Sequence, residues 1–336
     1  MRVGANPAKS GAVAYPPQKL GIAIILYIPF TDGYFEHSLE IFKYQLSSIR
    51  ANTFQEFDLL VFDNASCRQV VEELQSLFEQ KAIDWLVLSK HNLGKAGAWN
   101  WIFASMPNEL ICYADSDVLF RPGWLEASLE VLDAFPLAGM VAAQPNFFDV
   151  MKGEGRAHLA LQQDHQYKFS EYWPEKEIID EYCTGIGATP ELSAQFYKNP
   201  LRVVKRIEGN SEAVIGATHM QFLIPRQVAR QVIPLPSTKA LLRTETMSLD
   251  YRIDELGYLH LSVKTPYVVH MGNTLNERLL AEVNGLAGTS KSMPSQFPAY
   301  RSPLKRWLVN LARHPRLNPY FLRAYNFLFK ALYRST

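Results

Sequence analysis

Two carboxylates, Asp115 and Asp117, stand directly after the apolar run Leu110-Ile111-Cys112-Tyr113-Ala114. The run reads as a buried strand, and Arg121-Pro122-Gly123-Trp124 reads as a turn that opens a helix. At the end of a strand in an α/β sheet, such a pair faces the ligand crevice. Two aspartates this close raise each other's pKa unless a cation lies beside them. The chemistry they suit is a hard divalent ion, Mg²⁺ or Mn²⁺, held through one or two protein oxygens while water and phosphate fill the rest of its shell.

The elements that must carry this pair are legible upstream. Gly21 to Ile28 is nearly all apolar, as a parallel strand covered on both faces should be, and it stops at Pro29-Phe30-Thr31-Asp32-Gly33. Leu39, Phe42, Leu46 and Ile49 then recur at helical spacing. A second strand, Leu59-Leu60-Val61-Phe62, ends in Asp63-Asn64-Ala65-Ser66, with Ser66 the expected N-cap of a helix carrying Val70, Leu74 and Leu77. Ile83 to Leu88 reads as the third strand, and the loop from His91 to Ala98 leads into a helix with Trp99, Ile102 and Phe103.

Strand and helix in this rhythm imply an α/β fold with parallel pairing and right-handed crossovers. The loops at Pro29 to Gly33, Asp63 to Ser66, Asn92 to Lys95 and Asp115 to Asp117 then share one rim. An aspartate there can accept from the imide N–H or amino group of a base. A lysine beside glycine at a helix start suits a diphosphate. No G-x-G-x-x-G or G-x-x-x-x-G-K-[ST] occurs, which argues against a dinucleotide dehydrogenase or an ATPase.

Three runs in order, Asp63-Asn64-Ala65-Ser66, Asn92 to Asn100 and Tyr113-Ala114-Asp115-Ser116-Asp117, resemble those of GT-A-fold glycosyltransferases of the inverting family 2. The resemblance covers residues 21–145 closely and 210–273 more loosely. It implies a mixed, mostly parallel sheet flanked by helices, a nucleotide-sugar donor (a UDP-sugar first) and a glycan or lipid-linked glycan acceptor, as in surface polysaccharide synthesis. Pro29, Asp63, Asn92, Lys95 and Asp115 would then line the nucleotide-sugar, Asp117 would hold the metal, and His270 would complete the metal shell or contact the diphosphate. Family 2 members usually carry an acid pair before an Arg-containing helix that ends in Gly-Tyr. Here Glu245-Thr246 occupies that register ahead of Arg252 and Gly257-Tyr258. The general base is therefore assigned to Asp250 first, Glu245 second and Asp254 third.

Residues 146–208 lose periodicity and gather Tyr167, Phe169, Tyr172, Trp173 and Tyr182. They form either an acceptor-side insertion, in which Trp173 stacks on sugar, or a small satellite core. Ala213 to Ile224 reads as one strand that carries His219, either acceptor-facing or a hydrogen-bonded core histidine.

The domain organisation follows: an arm over 1–20, a nucleotide-sugar half over 21–145, an acceptor half with its insertion over 146–288, and a linker with basic amphipathic helices over 289–336. The tail from 301 to 336 holds eight Lys and Arg and no acid, leaving 26 basic against 33 acidic residues in the rest. Its Trp307, Phe321 and Tyr325 among cations suit an anionic membrane surface. Nucleic acid is a poor match, because no binding module accompanies those charges. Three scattered cysteines suggest a reducing compartment, and with no leader or spanning segment read, the expected place is the cytoplasm, peripheral at the inner membrane face. Two other readings stay open. One is a sugar nucleotidyltransferase, which should carry a Gly-rich basic loop after the first strand. The other is a catalytically silent nucleotide-binding relative acting as a membrane-surface scaffold.

Overall fold

The computed structural model describes residues 15–148, 155–236, 244–274 and 277–287. Its first half alternates strictly: β1 (Leu20–Leu26), α1 (Ser38–Asn52), β2 (Phe57–Asn64), α2 (Arg68–Glu79), β3 (Trp85–Ser89), α3 (Gly94–Ser105) and β4 (Leu110–Asp115). Then come β5 (Val118–Phe120), α4 (Trp124–Ala134) and β6 (Ala138–Ala142). The middle holds α5 (Arg156–Gln162), β7 (Tyr167–Tyr172), α6 (Lys176–Ile186), α7 (Pro190–Lys198), β8 (Leu201–Arg206), β9 (Glu212–Ile215) and β10 (Gln221–Pro225). The described chain closes with α8 (Arg226–Val232), α9 (Thr244–Glu255), β11 (Leu259–Ser262), β12 (Val268–His270) and α10 (Glu277–Ala287).

Among the described residues, ten strands form one sheet in the order β3-β2-β1-β4-β10-β6-β11-β9-β8-β7, and β12 pairs with β5 beside it. β1 pairs in parallel with both β2 and β4, Leu20 lying opposite Phe57 on one side and Leu110 on the other. β10 runs antiparallel to β4 and β6, and β7, β8 and β9 extend the sheet as antiparallel neighbours. The expected mixed, mostly parallel α/β sheet is what forms.

Strand side chains alternate between faces, so neighbours in β1 feed different cores. Ile22 and Ile24 pack with Phe42, Leu46, Leu74 and Trp124, whereas Ala23 joins Trp99, Phe103, Tyr113, Phe222 and Leu249 on the other side. Both faces are covered, which is why β1, β2 and β4 read as apolar runs.

The apolar stretch 213–224 is not one strand. It forms β9 and β10, which occupy separate places in the sheet, and the break between them begins at Gly216, whose φ is +93°. A Cβ there would lie 2.3 Å from Asn146 Nδ2, so the close passage requires glycine. Apolar spacing misses this break because both halves are buried. Ser66 does not cap α2 either: the N-cap is Cys67, and Ser66 Oγ accepts from the Ile28 N–H at 2.9 Å.

In the 146–208 region a satellite core forms. Ile179, Tyr182 and Phe196 bury themselves with Phe147 and Phe148 against them, and Tyr167 stacks on Phe135 with ring centroids 5.9 Å apart. The local helices expected there are α5, α6 and α7. Among the described residues no helix is long and apolar enough to cross a membrane. The tail and its linker lie outside the described residues, as does the arm up to residue 14.

Candidate active site

The rim expected from the sequence forms at the C-terminal end of β4, and the strand pairing explains how. β10 runs antiparallel to β4, with Gln221 opposite Ala114, so the loop before it returns past Asp115, whose N–H donates to the Met220 carbonyl at 2.7 Å. The β5–β12 ladder sets His270 opposite Val118, and the Met271 N–H donates to the Asp117 carbonyl at 2.7 Å. Sheet register alone therefore gathers Asp115, Asp117, His219 and His270.

Asp115 and Lys95 are already each other's partners. Lys95 Nζ lies 2.7 Å from Asp115 Oδ1 and donates to Oδ2 at 2.8 Å and to the His219 carbonyl at 2.9 Å. The same ammonium sits 5.4 Å from the Trp99 ring centre and 5.3 Å from that of Tyr113. The Tyr113 hydroxyl also donates to Asp115, and burial, followed by the charge on Asp115, pushes that phenol well up, so it keeps its proton as a donor. Asp115 thus already accepts from Lys95 and Tyr113, and a ribose hydroxyl would share its oxygens.

Asp117 is less committed. Its Oδ2 lies 3.5 Å from His270 Nε2, and its side chain keeps 29% of its surface open. Desolvation raises its pKa, with His270 opposing and Asp115 adding to the rise. A carboxylate held so is relieved by a hard cation beside it, and in that respect Asp117 fits a divalent metal. His270 fits differently: the Gly272 N–H donates to its Nδ1 at 3.1 Å, which leaves the hydrogen of the neutral ring on Nε2, aimed toward Asp117. Held this way, the ring is a donor to a carboxylate or phosphate oxygen. Among the described residues no group of three or more His, Cys, Asp and Glu could hold an ion, so most of a metal's shell would come from substrate and water.

Polar residues on α1 that periodicity passes over hold this segment from behind. Gln45 Nε2 donates to the Asp115 carbonyl at 2.6 Å, Ser48 Oγ accepts from the Phe120 N–H at 3.1 Å, and Asn52 Nδ2 donates to the Phe120 carbonyl at 2.8 Å. All three are buried. Their spacing of three and four residues puts them on one helix face and is the signal that could have identified them. Beyond β5, Arg121 forks onto Glu181 of α6 and Glu282 of α10, at 2.9 Å and 2.7 Å.

The other rim loops are stitched together by side chain and backbone. Asp63, 1% exposed, accepts from the Ser66 N–H at 3.2 Å, and burial raises its pKa against that bond. The Cys67 N–H donates to the Ile28 carbonyl at 2.8 Å, which brings the Pro29 turn beside the Asp63 loop. Asn64 accepts from the Leu93 N–H at 2.8 Å and donates to Asn92 Oδ1 at 3.1 Å; that oxygen also takes the Gly94 N–H at 2.8 Å. Asp63 and Asn92 Oδ1 therefore help to build the loops.

At the same rim, His219 Nε2 lies 3.0 Å from Asp250 Oδ1. His219 is not a core histidine: the break between β9 and β10 places it on the rim. Asp254 accepts from the Arg156 and Ala157 N–H groups at 2.8 and 2.9 Å and so caps α5. Glu245 lies in the first turn of α9, and its side chain is outside the described residues. Trp173 is 55% exposed ahead of α6, whereas Gly185, near the other end of that helix, lies against His270. Among the described residues Trp173 has no hydrogen bond or ring contact with the rim residues. Two hollows, of about 380 Å³ and 400 Å³, lie elsewhere; the first is lined by Glu109, Pro225 and Arg226 at the opposite end of β4.

Against this geometry, residues 38–189 match the model of glycosyl transferase family 2. The matched segment spans α1 to the start of α7 and includes Asp63, Lys95, Asp115 and Asp117. An uncharacterized glycosyltransferase of Nostoc sp. is 22% identical over 111 residues, 33% of this chain and 33% of that relative's length. Among solved structures, a Pyrobaculum calidifontis mannosyltransferase in complex with GDP-Man and Mn²⁺ is 13% identical, with 96% of this chain and 89% of that chain covered and a TM-score of 0.45. S. aureus TarS in complex with UDP-GlcNAc is 11% identical, with 82% and 68% covered and a TM-score of 0.43.

Proposed function

We propose that this protein is a metal-dependent inverting glycosyltransferase that moves a sugar from a nucleotide-sugar, first a UDP-sugar, to a glycan or lipid-linked glycan acceptor in surface polysaccharide synthesis. The observation that carries the reading is Asp117, a part-exposed carboxylate with a raised pKa that stands beside His270 and the Lys95–Asp115 pair at the C-terminal end of β4. The family 2 match over residues 38–189 supports the donor half.

In this reading Pro29, Asp63 and Asn92 shape the base pocket, and Lys95 with Asp115 meets the ribose and diphosphate. Asp117 would hold Mg²⁺ or Mn²⁺ through one carboxylate oxygen. The ion supplies neutralising charge to the departing diphosphate. His270, with hydrogen on Nε2, donates to a phosphate oxygen, and the pair His219–Asp250 meets the acceptor. Residues 21–145 serve the donor and 146–288 the acceptor, while the basic tail rests on anionic membrane at the cytoplasmic face.

A panel of UDP-, GDP- and dTDP-sugars incubated with the full chain, with and without Mn²⁺, tests the function through released nucleoside diphosphate. Release from one donor class that requires the metal is the expected result. Retention of a nucleotide-sugar without release would make the chain a silent binder, the reading that the Glu245-Thr246 departure leaves open. The absence of both binding and release would refute the transferase reading.

A further inference from the structure

We infer that the proton acceptor of the transfer is His219, with Asp250 as the carboxylate that orients it. This rests on the glycosyl-transfer reading above.

The family's acid register is filled by Glu245-Thr246, and a threonine hydroxyl cannot serve as the base. Asp250 is the first candidate to replace it, yet its side chain is only 4% exposed and its Oδ1 is taken by His219 Nε2 at 3.0 Å. The His219 side chain is 17% exposed. A carboxylate can only accept, so Nε2 carries the hydrogen and the neutral ring keeps its lone pair on Nδ1. Among the described residues nothing bonds Nδ1, and it is not sealed from solvent as an orphaned buried atom.

The ring is held in place by more than Asp250. The His219 carbonyl accepts from Lys95 Nζ at 2.9 Å, which fixes its backbone to the Lys95–Asp115 pair, and the Trp99 ring lies 6.2 Å away centre to centre. The charged groups around the imidazole are therefore Asp250 from α9, Lys95 from α3 and, through Lys95, Asp115 from β4. This is a base oriented by a buried acid, the arrangement in which the acid fixes the tautomer and steadies the imidazolium without taking the proton.

The step balances without a further reagent. The acceptor hydroxyl gives its proton to Nδ1 while its oxygen forms the new bond to the anomeric carbon. The bond from that carbon to the diphosphate oxygen breaks, and its electron pair leaves with the nucleoside diphosphate. His219 becomes an imidazolium facing Asp250 and loses the proton to water afterwards.

The test follows nucleoside diphosphate release by the full chain and its variants. His219→Gln should lower kcat roughly 10²- to 10⁴-fold, the usual contribution of a positioned base, with the donor KM unchanged. It should also remove the acid limb of the kcat profile, and His219→Ala should regain turnover when imidazole is added. Asp250→Asn should lower kcat as well. His219→Gln turning over within twofold of wild type while Asp250→Asn fails would move the base to Asp250 and overturn the inference. So would loss in His219→Gln with the pH limb unmoved and no imidazole rescue in His219→Ala. If wild type releases nothing from any donor, the transfer reading itself fails. Ring ¹³C and ¹⁵N shifts of His219 test the pair independently: hydrogen on Nε2 in wild type, lost as the fixed tautomer in Asp250→Asn, is expected, and hydrogen on Nδ1 in wild type would refute it.

Discussion

Gln45 Nε2 donates to the backbone carbonyl of Asp115 at 2.6 Å, from a side chain that solvent does not reach. An α1 residue thus sets the height of the loop that presents both aspartates. Removing the donor leaves a carbonyl unpaired in the interior, which costs about 1–3 kcal/mol. Gln45→Ala should lose stability of that order in urea titrations. Groups behind a metal ligand commonly alter metal affinity 10- to 100-fold, so the same variant should need more Mn²⁺ for half-maximal donor turnover. An unchanged Mn²⁺ requirement would confine Gln45 to a folding role.

Asp254 separates structure from chemistry. Its carboxylate closes the N-terminus of α5 by taking the Arg156 and Ala157 N–H groups. Asp254→Ala should cost about 0.5–2 kcal/mol, as loss of a helix cap does, and leave kcat per folded molecule unchanged. A large fall in kcat at wild-type stability would restore Asp254 as a candidate base.

Acid stability has a named source in His158. Its ring is fully buried, 4.6 Å centre to centre from His260, and burial, with His260 second, pushes its pKa down from 6.5 to about 3. The unfolded chain therefore binds a proton that the folded chain refuses across that window. The stability tied to His158 is complete above pH 6.5 and declines as pH falls toward 3, at up to about 1.4 kcal/mol per pH unit. Urea midpoints at pH 7, 6 and 5 should fall in that order for wild type and more shallowly for His158→Met.

Asp117 should trade stability for binding. Its raised pKa means that the folded chain holds the proton more tightly than the unfolded one. The associated stabilisation is present at low pH and is lost as pH rises through the raised value. In metal-free protein at neutral pH, Asp117→Asn should melt higher than wild type, with the gain vanishing at acid pH. A lower melting temperature at neutral pH would show that the charged carboxylate supports the fold.

The first half of the sheet was legible because both of its faces are covered: β1, β2 and β4 announce themselves as apolar runs, and each ends in the polar loop that builds the rim. The two-strand nature of 213–224 was hidden for the same reason, since buried segments on either side of Gly216 give one unbroken signal, and with it went the position of His219. Gln45, Ser48 and Asn52 escaped notice because polar residues on an amphipathic helix are ordinarily read as solvated. The pairing of Asp115 with Lys95 and Tyr113 depends on contacts 20 and 2 residues away, which spacing cannot report.

The most direct test of the central claim is a calorimetric titration of UDP into the full chain and into Asp117→Asn, each with and without Mn²⁺. The account predicts that Mn²⁺ tightens UDP binding to wild type at least tenfold and leaves the variant's weak binding unchanged. Equal tightening in both proteins, or none in either, would contradict a divalent ion held at Asp117.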